Sequence, residues 1–303
     1  MSSCLNKTSI TNPCSLIALR RMLSNSIVSR HTQRAYLTAI DGLFALASGR
    51  PISRMILMEY RLSMIAVGLT AATINQRLCA ARKLVNEARE NGLLDPAEAV
   101  RITSVPGVPQ SGVRLGHWLD REESKRLLAI PNRSRLIGKR DFAILSVLVH
   151  CALRREELAN ASMSRLQKRD GRWAFVDLVG KRGRRRTVPI PLAAKAVIDE
   201  WTFAAGIESG FLFRRMRKGG RVTAFALSAW SVWDVVVRSA NAAGITDLAP
   251  HDLRRTSAKL CRTAGGDLDQ IQALLGHADL STTAIYLQST QNIKNAVNDG
   301  IAL

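Results

Sequence analysis

Four short stretches of the chain carry side chains that could transfer a phosphoryl group. They are Ala152–Leu158 (ALRREEL), Gly180–Arg186 (GKRGRRR), His251–Thr256 (HDLRRT) and Leu275–Tyr286 (LGHADLSTTAIY). Phosphodiester transfer needs a nucleophile, charge stabilisation and a proton donor to the leaving oxygen, and arginine, lysine, histidine and tyrosine can supply all three. Taken singly, each stretch has an ordinary structural explanation, such as a charge at a helix end, a basic turn or a core tyrosine. The indication of chemistry therefore lies in their order and spacing.

In this order the four stretches resemble the catalytic signature of the tyrosine recombinase (phage integrase) family. The most specific part is His-x-Leu-Arg-Arg-Thr, followed by Leu-Leu-Gly-His and then by a tyrosine. The stretch His31–Tyr36 is similar to the helical core-binding domain of the family, so the resemblance covers nearly the whole chain. Ala152 is a departure, because glycine is common at that position.

The resemblance implies a role for each matched residue. The catalytic positions are Arg154, Lys181, His251, Arg254, His277 and the nucleophile Tyr286, with Glu157 in support. Arg155 and Arg255 duplicate the two catalytic arginines, but the Leu-Arg-x-x-Glu and His-x-x-Arg spacings select Arg154 and Arg254. Lys181 is the only lysine in its basic stretch, and lysine can lose a proton whereas arginine effectively cannot.

These residue types suit a metal-independent mechanism. The phenol of Tyr286 loses its proton during attack, and the phosphotyrosine then stores the energy of the broken bond, so religation needs no nucleotide. Two arginines clamp the non-bridging oxygens, and Lys181 protonates the leaving 5′ oxygen. His251 acts as the base for Tyr286 or as a donor to the phosphate, and His277 donates to a non-bridging oxygen. We expect no cofactor, and no metal, because no cluster of Asp and Glu stands near the motifs.

A net charge of +20 indicates a polyanionic partner. We expect double-stranded DNA; a basic ribosomal-type protein and an anionic membrane surface are the weaker explanations. The predicted DNA contacts outside the catalytic set are Arg77, Arg82, Lys83, Arg182, Arg184, Arg185 and Arg255. The resemblance also implies a homotetramer on two DNA sites, and it leaves open whether accessory DNA-bending proteins take part.

The elements that must position these residues are mostly helical. Apolar residues recur at helical spacing from Tyr36 to Ala47 and from Ile74 to Ala88, where Asn91-Gly92 stops the second helix. The stretch Ser104–Gly112 holds two prolines and two glycines, which predicts a linker.

Beyond the linker the elements alternate. Asp120 and Glu123 predict a capping box, and a buried helix follows over Asp141–Cys151. Trp173–Val179 and Thr187–Ile190 predict a hairpin around the turn Gly180–Gly183, and the chain after Pro191 is predicted to be helical. Gly276 ends an apolar helix, and Ser281 can cap the next, which carries Tyr286.

The predicted fold class is therefore mostly α with a small antiparallel β-sheet (α+β). A helical core-binding (SAM-like) domain occupies residues 1–103, a linker 104–117, and a catalytic domain with a C-terminal tail 118–303. Five scattered cysteines without C-x-x-C spacing disfavour a disulfide framework or a structural zinc site. No signal peptide is visible and the longest apolar run is too short to span a bilayer, so we expect a cytoplasmic, nucleoid-associated protein without membrane contact.

The expected function is a site-specific recombinase or integrase that works through a 3′-phosphotyrosine and a Holliday junction. Two alternatives stay open: a type IB topoisomerase-like enzyme, which shares the tyrosine chemistry, and a catalytically idle DNA-binding relative. The residues do not distinguish phage integration, transposition, dimer resolution and cassette capture, and they do not define the target site.

Overall fold

Two compact units make up the chain, Met1–Arg114 and Leu115–Leu303. The computed structural model describes residues 13–109, 117–180, 183, 185–276 and 283. In its described part the first unit consists of five helices: α1 (Pro13–Asn25), α2 (Arg30–Ala47), α3 (Arg54–Ala66), α4 (Ala71–Glu90) and α5 (Pro96–Thr103).

Short polar side chains start four of these helices. Ser29, Ser53, Thr70 and Asp95 each accept a hydrogen bond from a backbone N–H of the first turn of α2, α3, α4 and α5, which satisfies donors that have no partner within the helix. The apolar stripes predicted in α2 and α4 face a core that belongs to this unit alone, with Leu43 and Leu78 fully buried. α4 ends before Asn91, as predicted.

The first residues of the predicted linker lie on this unit. Val105 is buried, and the guanidinium of Arg82 donates to the carbonyl oxygens of Thr103 (3.2 Å) and Val105 (2.6 Å). Asn75 exchanges hydrogen bonds with the backbone of Val108, at 2.9 and 2.8 Å. Side chains of α4 thus satisfy a backbone that the prolines keep out of a helix.

The second unit contains helices and a three-stranded sheet. Its described helices are α6 (Arg121–Ala129), α7 (Leu136–Cys151), α8 (Arg155–Ala159), α9 (Leu192–Ala204), α10 (Ala229–Ala242), α11 (Pro250–Thr263) and α12 (Leu268–Leu275), with a 3₁₀ turn at Met163–Arg165. The antiparallel sheet has the order β1 (Leu166–Arg169), β2 (Arg172–Val179) and β3 (Arg185–Pro189). This arrangement confirms the predicted α+β class.

The long helix α7 forms the centre of this unit. Most of its residues are buried, and it packs against α6, α9, α10 and α11. The predicted capping box is present at α6: Asp120 accepts from the N–H of Glu123 at 2.8 Å, and Glu123 accepts from the N–H of Asp120 at 3.0 Å. Among the helices in the described ranges, none is both long and apolar enough to cross a membrane.

The predicted hairpin is confirmed as β2 and β3. The strands lose their regular register between Phe175 and Leu178, where Asp177 adopts a left-handed backbone with φ 51°. Such a bulge increases the local twist of a hairpin. Strand alternation places Arg186 on the same face as the buried Val188, while Arg185 and Thr187 are exposed.

The prediction of helix throughout the region after Pro191 is wrong for two short strands, β4 (Arg214–Met216) and β5 (Val222–Ala226). They pair antiparallel around Gly219 and Gly220, whose φ values of 87° and 82° suit a tight turn. The three residues of β4, Arg-Arg-Met, cannot display a strand periodicity, so the usable signals were the Gly-Gly pair and the β-branched and aromatic residues of β5.

Replacement of Trp201 by alanine should destabilise the second unit. The indole is fully buried, and its Nε1–H donates to the carbonyl oxygen of Leu212 at 2.9 Å. We expect a loss of about 3–5 kcal/mol in the free energy of unfolding, from a cavity and an unpaired carbonyl. Phe203→Ala on the same helix is the matched control, because that ring is 91% exposed; its effect should stay within about 0.5 kcal/mol. Urea unfolding followed by circular dichroism measures both, and equal losses would contradict the assignment of Trp201 to the core.

Candidate active site

Arg254 joins the ends of two helices at the centre of the second unit. Its side chain is almost fully buried, at 2% exposure. Nη1 donates to the carbonyl oxygen of Ala152, at the end of α7, at 2.5 Å, and Nη2 donates to the carbonyl oxygen of Leu275, at the end of α12. Carbonyl groups at a helix C-terminus lack partners within the helix and carry partial negative charge, so they stabilise a buried guanidinium.

Arg154 reaches the same place from the start of α8. Its Nη2 lies 3.5 Å from the carbonyl oxygen of Gly276, the residue directly after the one that Arg254 binds. Its Nη1 donates to Oε1 of Glu157 at 2.7 Å. The side chain is 32% exposed, so it is partly open to solvent. The two arginines selected by spacing therefore meet at the Leu275–Gly276 carbonyls.

Glu157 holds Arg154 through both its oxygens. Oε1 accepts from the Arg154 guanidinium, and Oε2 accepts from the Arg154 backbone N–H at 2.8 Å. Arg186 supplies two further donors, Nη1 to Oε1 at 2.7 Å and Nη2 to Oε2 at 2.8 Å. Burial alone would raise the pKa of this carboxyl, but the hydrogen bonds and charges of Arg186 and Arg154 lower the pKa to about 2. Glu157 is thus ionised at any pH at which the protein would be used.

Arg186 is the site residue that sequence reasoning missed. Besides its paired bonds to Glu157, its Nε donates to the carbonyl oxygen of Leu274 at 3.1 Å, and its side chain is 9% exposed. Because it stands among other arginines, residue type alone does not distinguish it from a surface cation. Strand alternation was the usable signal: an arginine on the face of Val188 points into the protein and therefore requires a carboxylate.

Gly276 must be glycine for two reasons. It ends α12 in the left-handed region, with φ 61°, as predicted from the sequence. A Cβ atom at this position would also lie 2.7 Å from Cδ of Arg186. Any larger residue would displace the Arg186 side chain.

Ala152 stands where glycine is common, and the structure shows how an alanine is accommodated there. It ends α7 in the left-handed region with φ 50°, a conformation that costs a non-glycine residue on the order of 1–3 kcal/mol. Its methyl group is fully buried in a small cluster with Ala258, Ile271 and Leu275, which offsets part of that strain. Two members of this cluster, Ala152 and Leu275, supply the carbonyl oxygens that Arg254 binds.

His251 lies in the first turn of α11. Asp252 caps the start of this helix, because its carboxylate accepts a hydrogen bond from the backbone N–H of Ala249 at 3.0 Å. The pKa of His251 lies below its ordinary value, because partial burial and then the guanidinium charges of Arg255, Arg254 and Arg154 outweigh the opposing charge of Asp252. The ring is therefore predominantly neutral at pH 7 and can accept a proton.

The remaining predicted residues divide into two groups. Lys181, Arg182, Arg184, His277 and Tyr286 lie outside the described residues. The other predicted DNA contacts are placed by the structure, and each contacts a neighbour within the protein. Arg82 binds the Thr103 and Val105 carbonyls, Lys83 pairs with Glu87 at 2.5 Å, Arg185 with Asp177 at 3.7 Å, Arg255 with Asp252 at 3.6 Å, and Arg77 lies beside Tyr60.

No group of three His, Cys, Asp or Glu side chains with the geometry of a metal site occurs among the residues that the structure describes. The charged groups brought together here are three guanidinium groups and one carboxylate, with His251 beside them. Such a cluster can bind an oxyanion and stabilise extra negative charge on it.

Comparison with known proteins gives a consistent result. Residues 117–292 match the family model described as Phage integrase family. The tyrosine recombinase XerC of Xanthomonas axonopodis pv. citri is 31% identical over 221 residues, which cover 72% of this chain and 68% of that protein. XerC of Corynebacterium efficiens is 31% identical over 234 residues, covering 76% of this chain and 71% of that protein. A lambda integrase dimer bound to a COC′ core site is similar in fold, with a TM-score of 0.71 at 17% identity, over 93% of this chain and 78% of that one.

Removal of the Glu157 charge should produce a pH-dependent loss of stability. The carboxyl pKa falls from 4.5 to about 2 on folding, so the stabilisation is complete above pH 5 or so and is lost as the pH falls towards the folded value. Glu157→Gln should lower the free energy of unfolding by about 3 kcal/mol at pH 7. The difference from the parent should shrink when urea unfolding is repeated at decreasing pH below 5. Glu156→Gln, at an exposed neighbouring position, is the control. An effect of Glu157→Gln that does not change with pH would show that the carboxylate charge does not stabilise the folded protein.

Proposed function

Because the chain belongs to the phage integrase family of tyrosine recombinases, enzymes that cleave and rejoin DNA, we propose that Arg154 and Arg254 hold the scissile phosphate of a specific DNA site. One observation carries the proposal: residues of all four chemical stretches meet at the end of α12, where Arg186, Arg254 and Arg154 bond to the carbonyl oxygens of Leu274, Leu275 and Gly276 in turn. Arg154 offers a partly exposed side chain at this point. Converging cations are what a phosphate group requires.

The proposed cleavage is a single displacement at phosphorus. The phenolic oxygen of Tyr286 forms a bond to phosphorus while the bond to the 5′ oxygen breaks, which leaves a 3′-phosphotyrosine and a free 5′-hydroxyl. The proton of Tyr286 passes to His251, whose lowered pKa keeps the ring neutral and able to accept it. Lys181 gives a proton to the leaving 5′ oxygen. His277 donates to a non-bridging oxygen, and the two arginines stabilise the extra negative charge.

Rejoining is the same displacement in reverse. A 5′-hydroxyl attacks the phosphotyrosine and releases the phenol, so no nucleotide is consumed. We propose that the attacking hydroxyl comes from a second DNA site within a homotetramer, and that exchange proceeds through a Holliday junction. The predicted basic contacts to double-stranded DNA belong to the same proposal, as does action in the cytoplasm on nucleoid DNA.

Two rival functions predict different products. A topoisomerase-like enzyme would form the covalent intermediate but would rejoin the same strand, without exchange between two sites. An idle DNA-binding relative would form no intermediate. The complete set of matched residues, from Arg154 to Tyr286, supports the recombinase over the idle relative.

Tyr286→Phe should abolish covalent capture of DNA and leave site binding nearly unchanged. The variant loses only the nucleophilic oxygen, while affinity comes from many phosphate contacts. A nicked suicide substrate measures the adduct on a denaturing gel, and a mobility-shift titration measures binding. A covalent adduct in the variant would exclude Tyr286 as the nucleophile, and no adduct in the parent would favour the idle relative.

Lys181→Ala tests the proton donor. The variant should cleave ordinary DNA about 10²–10⁴-fold more slowly, as expected for loss of a general acid. DNA with sulfur at the bridging 5′ position should be cleaved at close to the parental rate, because a thiolate, with a thiol pKa of about 8.5, leaves without protonation.

Two control variants separate this role from general charge effects. Arg154→Ala should stay slow on both substrates, since charge stabilisation does not depend on the leaving group. Arg182→Ala should show no selective rescue by sulfur. Equal impairment of Lys181→Ala on both substrates would remove it from the role of general acid.

A further inference from the structure

We propose that Arg186 is a positioning residue: it compensates the charge of Glu157, so that the positive charge of Arg154 stays available to the DNA phosphate. This inference rests on the proposed function. It extends that function to a residue on β3 that acts through Glu157 and Arg154 and is not itself required to touch DNA.

The hydrogen bonds fix the geometry of this group. Each oxygen of Glu157 accepts one bond from Arg154 and one from Arg186, all between 2.7 and 2.8 Å. Four donors fill the acceptor capacity of a carboxylate. The Glu157 and Arg186 side chains are 6% and 9% exposed, whereas Arg154 is 32% exposed. The Glu157–Arg186 pair is therefore nearly dry, and Arg154 is the more solvent-exposed arginine of the group.

The group of Arg154, Glu157 and Arg186 carries a net positive charge. Two guanidinium groups and one carboxylate leave one net positive charge, located on the more exposed Arg154. Without Arg186, Arg154 would be the one guanidinium partner left to this buried carboxylate among the residues that the structure describes, and the carboxylate would cancel its charge. A neutral pair would attract an incoming phosphate much less, and would stabilise the extra transition-state charge much less.

The second contact of Arg186 couples this charge to the rest of the site. Its Nε binds the Leu274 carbonyl oxygen at 3.1 Å, and Gly276 leaves the space that its side chain occupies. Arg186 therefore ties β3, which follows Lys181 in the sequence, to the last turn of α12. Substitution of Arg186 should affect both the charge and the packing of β3 against α12.

The test compares variants that separate charge from packing. Arg186→Gln removes the charge and keeps an amide that can bond to Glu157, Arg186→Lys keeps the charge, and Arg186→Gln/Glu157→Gln restores one net positive charge on Arg154. Arg172→Met, an exposed position at the opposite end of β2, controls for loss of one surface cation. Single-turnover cleavage of the suicide substrate is measured with all DNA bound, at a temperature where circular dichroism shows each variant folded.

We expect Arg186→Gln to cleave about 10- to 100-fold more slowly than the parent, with its dissociation constant for the DNA site changed less than threefold or so. Arg186→Lys and the double variant should both be faster than Arg186→Gln, and Arg172→Met should match the parent. A merely structural role of Arg186 predicts the opposite for the double variant, which has lost both members of the pair and should be the slowest.

Two outcomes would overturn the inference. One is an Arg186→Gln variant as fast as the parent; the other is a double variant no faster than Arg186→Gln. If Arg186→Gln does not fold, Arg186→Lys decides: a loss above about 100-fold in this folded, charge-preserving variant contradicts the charge argument. A parent enzyme that forms no covalent adduct would instead contradict the proposed function.

Discussion

The site depends on one constraint: several cations must lie side by side in a poorly hydrated place. Guanidinium groups repel one another, and each loses hydration on burial. The protein compensates them with one shared carboxylate, Glu157, and with the carbonyl oxygens of Ala152, Leu274 and Leu275. Carbonyl groups carry only partial charge, so this arrangement satisfies the donors of the arginines without cancelling their charge. The site keeps a surplus of positive charge, which is the property needed to bind a phosphate.

Helix ends meet at this site because the arginines need carbonyl groups that have no other partner. The C-terminal end of a helix presents several such groups in one direction. α7 and α12 both end at the site, each with its C-cap residue in the left-handed region, Ala152 at φ 50° and Gly276 at φ 61°. α8 and α11 begin there and bring Arg154 and His251. A helix start next to a helix end places opposite partial charges around the arginines, and the small cluster beneath them fixes the distance between the helices.

Sequence alone was informative where a residue has a fixed chemical partner or a fixed spacing. The spacings around Glu157 and His251 selected Arg154 and Arg254 from their duplicates, and the structure brings these two to one place. Gly276 was recognised as a helix end because glycine adopts the left-handed region most easily. Arg186 was missed because its partner is distant in sequence, so its role depends on tertiary packing. The strand β4 was missed because three residues are too few for a periodicity to emerge, and β5 was missed with it because its pairing partner was not recognised.

The pKa values divide the site into a fixed part and a part that exchanges protons. Arginine stays protonated, and the pKa of Glu157, lowered to about 2, keeps its carboxylate ionised. The charges of this arginine–carboxylate cluster are therefore constant across the physiological range. Burial, together with the same positive field, lowers the pKa of His251, so the ring remains able to accept a proton beside groups that can neither give nor take one. One arrangement of arginines thus provides a constant positive field and keeps the neighbouring imidazole neutral.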